Sequence, residues 1–407
     1  EVERTAERAV EIARASHTLM QTPVKLADEP VHRDRIKTLF KVDPFTVPLE
    51  ERCNLLLNAC EIVHKEKGII RSNGFLWTQR DIKHFASTEG TVLDFDLLAV
   101  GGSFGATAKN DDDFQSREFS VPFIRSGYEH ITAADFVAQA PRVAAQAVEK
   151  VNAKQPAPGK YDLVLDPAHL SLTIHESCGH PTELDRALGY EANYAGTSFL
   201  TPEKLGSFRY GSKHVNLIAD NTRQGAMAST GYDDDGVAGQ RWPIIEEGIF
   251  RGYSTNREVA GAIGEKRSRG SCRADSWSSV PIVRIANVGL EPGSETLDSL
   301  IADVEDGIYI EGRGSFSIDQ KRYNFQFGGD AFWEIKNGKR GAMLKNVIYN
   351  GITPEFWNSC DGVADRKHWQ EHGFINCGKG QPGQSGWMTH AAADARFRQV
   401  NVINPKG

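Results

Sequence analysis

A histidine, a glutamate and a second histidine lie close together near the middle of the chain, at His175, Glu176 and His180. Neutral imidazoles are good zinc ligands, and a catalytic zinc usually takes three protein ligands and one water. A carboxylate next to the first histidine can accept a proton from that water, because the metal lowers its pKa to about 7. The three residues therefore indicate a metallohydrolase with two ligands and a general base.

The two histidines are five residues apart, one more than in the common zinc-peptidase helix. On an α-helix, side chains four residues apart lie about 40° apart around the axis, and those five apart lie about 140° apart. Both histidines can reach one metal only if the helix widens into a π-type turn or ends between them, and Gly179 and Pro181 favour such a break. Alternatively, His175 is a core histidine and His180 caps a helix; the motif alone leaves both interpretations open.

A third ligand has to come from outside the motif. Glu183 is near in sequence, but the favoured interpretation is a solvated carboxylate at a helix end. Cys377 lies in a glycine-containing segment, residues 376–382, which we expect to be a loop that lets a thiolate approach a metal. A lone cysteine is more often inert than a ligand. Cys178, inside the motif, could be a nucleophile activated by histidine, but packing is the favoured interpretation.

Two further segments contain charged groups that could bind a ligand. Residues 233–236 read Asp-Asp-Asp-Gly, but they lack the alternating oxygen ligands of a calcium loop, so an acidic turn is expected. Arg267, Arg269 and Arg273 lie in a region rich in glycine and serine. They could clamp a peptide carboxylate, or they could be solvated.

Length and composition limit the class of protein. At 407 residues and 44.9 kDa the chain is too long to form one ordinary hydrophobic core, so two domains are expected. A formal net charge of −7 argues against a dedicated nucleic-acid binder, and no apolar run approaches the roughly 20 residues of a membrane span. Six scattered cysteines favour a reducing cytoplasm. The chain begins at Glu1, so a trimmed or processed N-terminus is expected.

The elements that must position these residues follow from periodicity and turn signals. The N-terminal part is predicted to combine helices with an antiparallel meander. Its expected elements are a helix over 3–18, a helix over 48–67, and, within 69–107, short strands over 74–77, 83–87 and 91–100 that are separated by short turns. An exposed acidic loop over 109–114 and a helix over 141–151 with Pro141 at its first position follow.

Residues 154–160, Lys-Gln-Pro-Ala-Pro-Gly-Lys, are the clearest linker. We therefore predict an α+β protein with an N-terminal α/β domain over 1–155 and a larger, β-rich C-terminal domain over 161–407. That second domain carries the metal-binding helix. Its expected elements are a strand over 161–165, strands within 214–219, 244–250, 282–288, 308–312, 323–327, 331–335 and 343–349, a helix over 297–304, and a hairpin turn at 336–339.

The segment from His175 to Asp185 closely resembles the signature of the TldD/PmbA metalloprotease family. Further segments resemble that family in the same order along the chain, most clearly between about residues 162 and 380. These segments are Asp233–Gly236, Gly270–Arg273, Pro281–Asn287, Leu290–Gly293, Ile310–Gly312 and Asn376–Lys379. Family members usually begin with more N-terminal sequence, and His390 matches no family motif, so it has no assigned role.

The resemblance implies a fold, a site and an activity. It implies an N-terminal α/β domain, a β-rich C-terminal domain, and a homodimer or a heterodimer with a related subunit. Carried over residue by residue, it makes His175, His180 and Cys377 the ligands of one zinc ion per chain and Glu176 the general base. The implied substrates are unfolded or extended peptides, reached through a cavity between subunits.

The leading hypothesis is therefore a cytoplasmic zinc peptidase that has neither nucleic acid nor membrane as a partner. Arg273 and Asp235 are candidate substrate-binding residues. One alternative is a regulatory subunit that binds peptides or a partner without cutting them. Another is a metal-dependent amidase that acts on an amide other than a peptide bond. Zinc is preferred over iron or manganese because a thiolate and two imidazoles suit it.

Overall fold

The computed structural model of the chain describes residues 1–21 and 23–403. Residues 404–407, the end of the predicted C-terminal domain, lie outside the described part. The α-helices are α1 (Val2–Thr18), α2 (Leu49–Val63), α3 (Glu129–Thr132), α4 (Phe136–Asn152), α5 (Pro167–Ile174), α6 (Leu184–Ala187), α7 (Leu297–Ala302) and α8 (Thr353–Asn358). The strands are β1 (Arg33–Lys37), β2 (Ile69–Ala86), β3 (Val92–Lys109), β4 (Phe114–Ile124), β5 (Gly159–Leu165), β6 (Leu217–Asp220), β7 (Arg241–Glu246), β8 (Ile249–Phe250), β9 (Cys272–Arg273), β10 (Ile282–Val283), β11 (Val288–Leu290), β12 (Asp306–Glu311), β13 (Phe316–Ile318), β14 (Asn324–Gly328), β15 (Ala331–Lys336), β16 (Lys339–Leu344), β17 (Ile348–Ile352), β18 (Cys360–Val363), β19 (Gln370–Lys379), β20 (Gln384–Ala392) and β21 (Ala395–Ile403).

The N-terminal sheet is built on the hairpin of β2 and β3, each of which is 18 residues long. β1 joins the far side of β3 in parallel and β4 joins it antiparallel, while α2 and α4 pack on this sheet. The predicted meander is confirmed, but β2 has no break between the two short strands expected there. Polar residues 78–81, which suggested a turn, pair with residues 97–100 of β3. Main-chain pairing along the whole hairpin overrides the local preference.

Helix α4 begins five residues earlier than predicted. Asp135 caps it by accepting a hydrogen bond from Ala138 N at 3.1 Å, and Pro141 lies inside the helix. The buried face starts with Phe136 and Ala140, ahead of the proline. Burial of these apolar groups offsets the hydrogen bond that the proline cannot make. The prediction failed because it took the proline as the start.

The C-terminal part contains two larger sheets that enclose α5. Among the described residues, one sheet runs β13-β14-β17-β21-β5-β12-β15-β16, with β18 beside β21, and the other runs β19-β20-β11-β6-β7-β8. α5 contacts β12 of the first sheet and β11, β19 and β20 of the second. The fold is therefore mixed α and β with a large β-rich part, as predicted, and its inner helix leads directly into the His-Glu motif.

Buried ion pairs connect the parts of the chain on either side of the predicted linker. Arg117 of β4 pairs with Glu311 and Asp330, and Lys150 of α4 donates to the Asp330 carbonyl at 2.6 Å. The domain boundary at 154–160 stays a prediction. Within the described ranges, no helix has the length and apolar character needed to cross a membrane.

A candidate metal centre

Helix α5 precedes His175, and Asp166 and Pro167 stabilise its N-terminus, where the first main-chain amides have no partner within the helix. The Asp166 carboxylate accepts a hydrogen bond from His169 N at 2.7 Å, and Pro167 takes the first helical position, where no amide donor is needed. Residues 169–174 are all buried. The helix therefore delivers the segment that starts at His175 into the interior between the two sheets.

The step from His175 to His180 is a π-helical turn over His175–Gly179. Main-chain hydrogen bonds span five residues in such a turn, and here the His180 amide donates to the His175 carbonyl. Of the two arrangements that would let both histidines reach one metal, the structure shows the widened turn, and this turn brings both side chains together. A Cβ at Gly179 would lie 2.8 Å from Ile285 Cγ2, so the close packing of this turn requires glycine.

The two imidazoles meet the Cys377 thiol in the interior. One ligand atom of each residue lies within 4.8 Å of the other two, and His180 Nε2 is 3.5 Å from Cys377 Sγ. The rings of His175 and His180 are nearly perpendicular, with centroids 4.9 Å apart. Because the three ligand atoms lie this close together, a single ion placed between them could contact all three.

The protonation of these groups suits a metal. Burial lowers the pKa of His175 and of His180 well below the ordinary value, so both rings are neutral. Burial also raises the pKa of the Cys377 thiol to about 11, although the Arg284 charge opposes this rise. A bound cation reverses that preference and deprotonates the thiol. Two imidazoles and one thiolate form a donor set that fits zinc.

Cys377 lies in strand β19 and not in the predicted loop. β19 pairs with β20, and the register shifts between Phe374 and Cys377, which is typical of a β-bulge that re-aims a side chain. The buried Arg284 donates to the carbonyls of Cys377 and Gln384 across this pair. The loop prediction failed because pairing with β20 overrides the local preference of the glycines.

Glu183 supports His180 from the side away from the thiol. Its Oε2 lies 2.8 Å from His180 Nδ1, and Lys379 Nζ lies 3.3 Å from its Oε1. Glu183 is fully buried, so its interpretation as a solvated carboxylate is wrong. The contact occupies Nδ1 and leaves His180 Nε2 to face Cys377. Carboxylates often orient metal-binding histidines in this way.

His175 has two partners that the sequence did not reveal. Its Nδ1 lies 2.9 Å from His390 Nε2, and its ring stacks on Phe374 with centroids 4.7 Å apart and planes 11° apart. His390 Nδ1 lies in turn 3.2 Å from the Val288 carbonyl. The previously unassigned His390 is therefore buried directly behind one of the clustered histidines.

Glu176 lies in the same π turn and pairs with a residue from a distant hairpin. Arg322 Nη1 donates a hydrogen bond to Glu176 Oε2. Burial raises the pKa of Glu176, and the positive charge of Arg322 opposes that rise. Arg322 adopts a left-handed conformation, with φ 64°, in the turn between β13 and β14. No local sequence pattern singled it out.

The turn that carries Arg322 is held by neighbouring segments. Phe199 N donates to the Lys321 carbonyl at 3.0 Å, and Thr353 Oγ1 donates to the Arg322 carbonyl at 2.8 Å. Arg322 is thus fixed against Glu176 by the packing of its own main chain.

The other sequence candidates have contacts outside the cluster. Arg273 donates to the carbonyls of Trp387 and Ile285, and Asp235 accepts from Arg257 N at 2.9 Å. Neither belongs to the group of metal-ligand candidates found among the described residues, so their substrate-binding role stays a prediction.

Cys178 lies in the apolar core, where burial raises its pKa. A nucleophilic cysteine needs a lowered pKa, so the packing interpretation is confirmed.

Comparisons with known sequences all point to one family of proteins. The sequence model of the PmbA/TldA metallopeptidase C-terminal domain matches residues 158–402. A metalloprotease of Methanocaldococcus jannaschii is 29% identical over 366 residues, covering 89% of this chain and 78% of that protein. A metalloprotease of Synechocystis is 28% identical over 405 residues, covering 98% and 83%. A zinc metalloprotease TldD homolog of Saccharolobus solfataricus is 26% identical over 220 residues, covering 53% and 46%.

Solved structures share the fold. The crystal structure of TldE from Thermococcus kodakarensis has a TM-score of 0.72 at 16% identity, covering 98% of this chain and 85% of that chain. A Thermotoga maritima protein described as a candidate modulator of a DNA gyrase has a TM-score of 0.73 at 16% identity, covering 98% and 83%. At these identities the likeness establishes the architecture alone.

Proposed function

The chain belongs to the TldD/PmbA family of metallopeptidases, and from that membership we propose that it is a zinc-dependent peptidase that hydrolyses unfolded or extended peptides. The observation that carries the proposal is the convergence of His175, His180 and Cys377, with Glu176 in the same π turn and close enough for its charge to raise the pKa of the Cys377 thiol. A structural zinc site usually has four protein ligands, whereas the group found among the described residues has three, the number that is usual for a catalytic zinc.

The proposed cofactor is one zinc ion per chain, held by His175 Nε2, His180 Nε2 and the Cys377 thiolate. The Nδ1 atoms of both histidines are engaged by His390 and Glu183, so the Nε2 atoms are the ones left to bind. Zinc bound there supplies a Lewis acid for the scissile carbonyl and raises the acidity of a water.

Glu176 is the proposed general base. Its carboxylate would accept a proton from the attacking water as the water oxygen bonds to the carbonyl carbon, and would then deliver that proton to the amine nitrogen as the carbon–nitrogen bond breaks. Burial raises its pKa, which makes the carboxylate a stronger proton acceptor than an exposed glutamate. Arg322 holds Oε2 and so leaves Oε1 for the water.

An extended peptide suits the surface next to the cluster. β19 is the last strand of its sheet, and Asn376 and Gly378, which flank Cys377, are exposed. A Cβ at Gly378 would meet nothing within 4 Å. A peptide strand could lie along this edge and bind through its main chain, which would give loose sequence preference.

We also propose that the protein acts in the cytoplasm as a homodimer or with a related subunit. All six cysteines are free thiols, as a reducing compartment requires. The shared fold of TldE makes a related subunit a reasonable partner.

The test compares wild type with Glu176→Gln and with Glu203→Gln, which alters an exposed carboxylate outside the cluster. Zinc content is measured for each protein, and cleavage is measured with unfolded peptides and with small non-peptide amides as substrates. We expect Glu176→Gln to keep its zinc and lose at least about a hundredfold in rate, while Glu203→Gln matches wild type. Full activity of Glu176→Gln would disprove its role as base.

Two other results would replace the proposed function. Cleavage of small amides but not peptides would indicate an amidase. Peptide binding without any cleavage by wild type would indicate a non-catalytic binding subunit.

A further inference from the structure

Two consecutive hydrogen bonds extend from His175 on the side away from the thiol. The first joins His175 Nδ1 to His390 Nε2 at 2.9 Å, and the second joins His390 Nδ1 to the Val288 carbonyl at 3.2 Å. His390 and Val288 are fully buried and His175 nearly so. Water therefore does not compete for these bonds, and the protein alone sets the positions of the protons.

The donor and acceptor roles follow from the end of this chain of bonds. A carbonyl oxygen only accepts, so His390 Nδ1 carries the hydrogen. In a neutral ring the other nitrogen, His390 Nε2, is then the acceptor, and His175 Nδ1 is the donor. The remaining lone pair of the His175 ring is therefore on Nε2, the nitrogen that can bind a metal.

The opposite arrangement is unfavourable. If His390 Nε2 carried the hydrogen, the lone pair of Nδ1 would face the lone pairs of the Val288 carbonyl. If both nitrogens carried hydrogens, His390 would be a buried cation, and neither of its two ring hydrogen bonds among the described residues is to a carboxylate that could balance the charge. One tautomer of the histidine pair is thus selected.

The orientation of the His175 ring is also fixed by its neighbours. Phe374 stacks against one face of the His175 ring, and the plane of the His390 ring is inclined at 68° to the His175 ring, with centroids 5.0 Å apart. His390 lies on β20, the strand that pairs with the Cys377 strand. One hairpin therefore provides a candidate ligand and also the group that orients another ligand.

We propose that His390 is a positioning residue that fixes the tautomer and ring orientation of His175, so that His175 Nε2 is directed at the metal. The inference rests on the proposed zinc site. His390 does not bind the metal itself, and its contribution is to metal affinity.

The experiment measures the zinc dissociation constant of the full chain by competition with a chromophoric chelator. His390→Phe keeps a ring of similar size but has no acceptor, and we expect it to bind zinc about 10 to 100-fold more weakly. His390→Gln can accept from His175 and donate to Val288, so we expect its affinity to stay within about threefold of wild type.

A matched control is His372→Phe. His372 is also a buried histidine and is paired with His390 in register on β19, but no hydrogen bond joins its ring to the His175 ring among the described residues. We expect unchanged zinc affinity. If His390→Phe does not fold, His390→Val, which suits a strand, provides the same test.

Three outcomes would overturn the inference. They are wild-type affinity in the apolar His390 variants, an equal loss in His390→Gln, and an equal loss in His372→Phe. Each of these leaves the zinc peptidase proposal intact, whereas a wild-type chain that binds no zinc overturns both.

Discussion

The guanidinium of Arg322 is hydrogen-bonded to the carboxylate of Glu176, although 146 residues separate them in the sequence. The contact joins the turn of one hairpin to the π turn that begins at His175 and ends just before His180. Because the Arg322 main chain is itself held by Thr353, the carboxylate has a fixed neighbour before any substrate arrives. Such preorganisation matters most for a group that must move a proton.

Removing the Arg322 charge should slow catalysis without removing the metal. We expect Arg322→Met to lower kcat about 10 to 100-fold, because a misplaced base costs that much, and to leave KM and zinc content nearly unchanged. Arg322→Lys, which keeps the charge, should be intermediate. Lys321→Met, at an exposed side chain of the same turn, is the control. An active Arg322→Met enzyme would show that Glu176 needs no such partner.

Loss of the thiol should remove the metal. We expect Cys377→Ala to reduce bound zinc from about one ion per chain to a small fraction of that, because only two ligands remain. Cys178→Ala changes a buried cysteine of the same motif that packs in the apolar core, and it should keep its zinc. Metal analysis of freshly purified, unchelated protein decides the matter. Equal zinc in both variants would exclude Cys377 as a ligand.

A methyl group added at Gly179 in the π turn should lower the free energy of unfolding. Gly179→Ala places a Cβ 2.8 Å from Ile285 Cγ2, and overpacking of this kind costs about 1–3 kcal/mol. We expect the combined Gly179→Ala/Ile285→Ala variant to be more stable than the sum of the single changes predicts. Gly261→Ala, where a Cβ meets nothing within 4 Å, is the control. Chemical denaturation gives each free energy of unfolding, and simple additivity would contradict the contact.

Asp166 should make the protein less stable as pH rises. Burial raises its pKa to about 7, whereas an unfolded aspartate has a pKa of about 3.9. Between these values the folded state holds a proton that the unfolded state has released, so the free energy of unfolding falls with rising pH. The loss is complete once pH exceeds about 7, and it amounts to at most on the order of 4 kcal/mol.

The Asp166→Asn variant isolates this effect. Both hydrogen bonds to the side chain, from His169 N and Gly312 N, go to the same oxygen, Oδ1, so an amide can keep them. We expect a flatter pH profile from pH 4 to 7 and greater stability than wild type above pH 7. Asp233→Asn serves as a contrasting variant. Main-chain amides donate to both carboxylate oxygens of Asp233, so an asparagine at this position would lose one hydrogen bond. Parallel profiles for wild type and Asp166→Asn would contradict the assignment.

The sequence was informative wherever function depends on neighbours along the chain. The five-residue step between His175 and His180 limited a shared metal to two arrangements, a widened turn or a helix end, because side chains five apart point in different directions on an α-helix. The buried surroundings of Glu183 and the strand around Cys377 were not predictable in this way. β19 is rich in polar residues and glycine because part of it faces a buried site, so it lacks the apolar alternation that identifies a strand.

Arg322 and His390 show a different limit. Each contacts the motif across a long span of sequence, 146 residues for one pair and 215 for His175 and His390. Neither contact produces a periodic pattern in the sequence, because each depends on how two sheets and a hairpin pack together. Only the fold identifies these two residues as neighbours of the candidate centre.

The pairing of β19 with β20 also determines when, during synthesis of the chain, the candidate ligands can come together. Cys377 follows His180 by 197 residues, which at about 5–20 residues per second corresponds to roughly 10 to 40 s of synthesis. Until the hairpin of β19 and β20 has been synthesised and has joined its sheet, the ribosome-bound chain carries two of the three candidate ligands and lacks both His390 and its strand. The complete candidate centre, and with it any peptide cleavage at this site, therefore requires synthesis at least to residue 392, so a shorter nascent chain would not cleave itself or its neighbours.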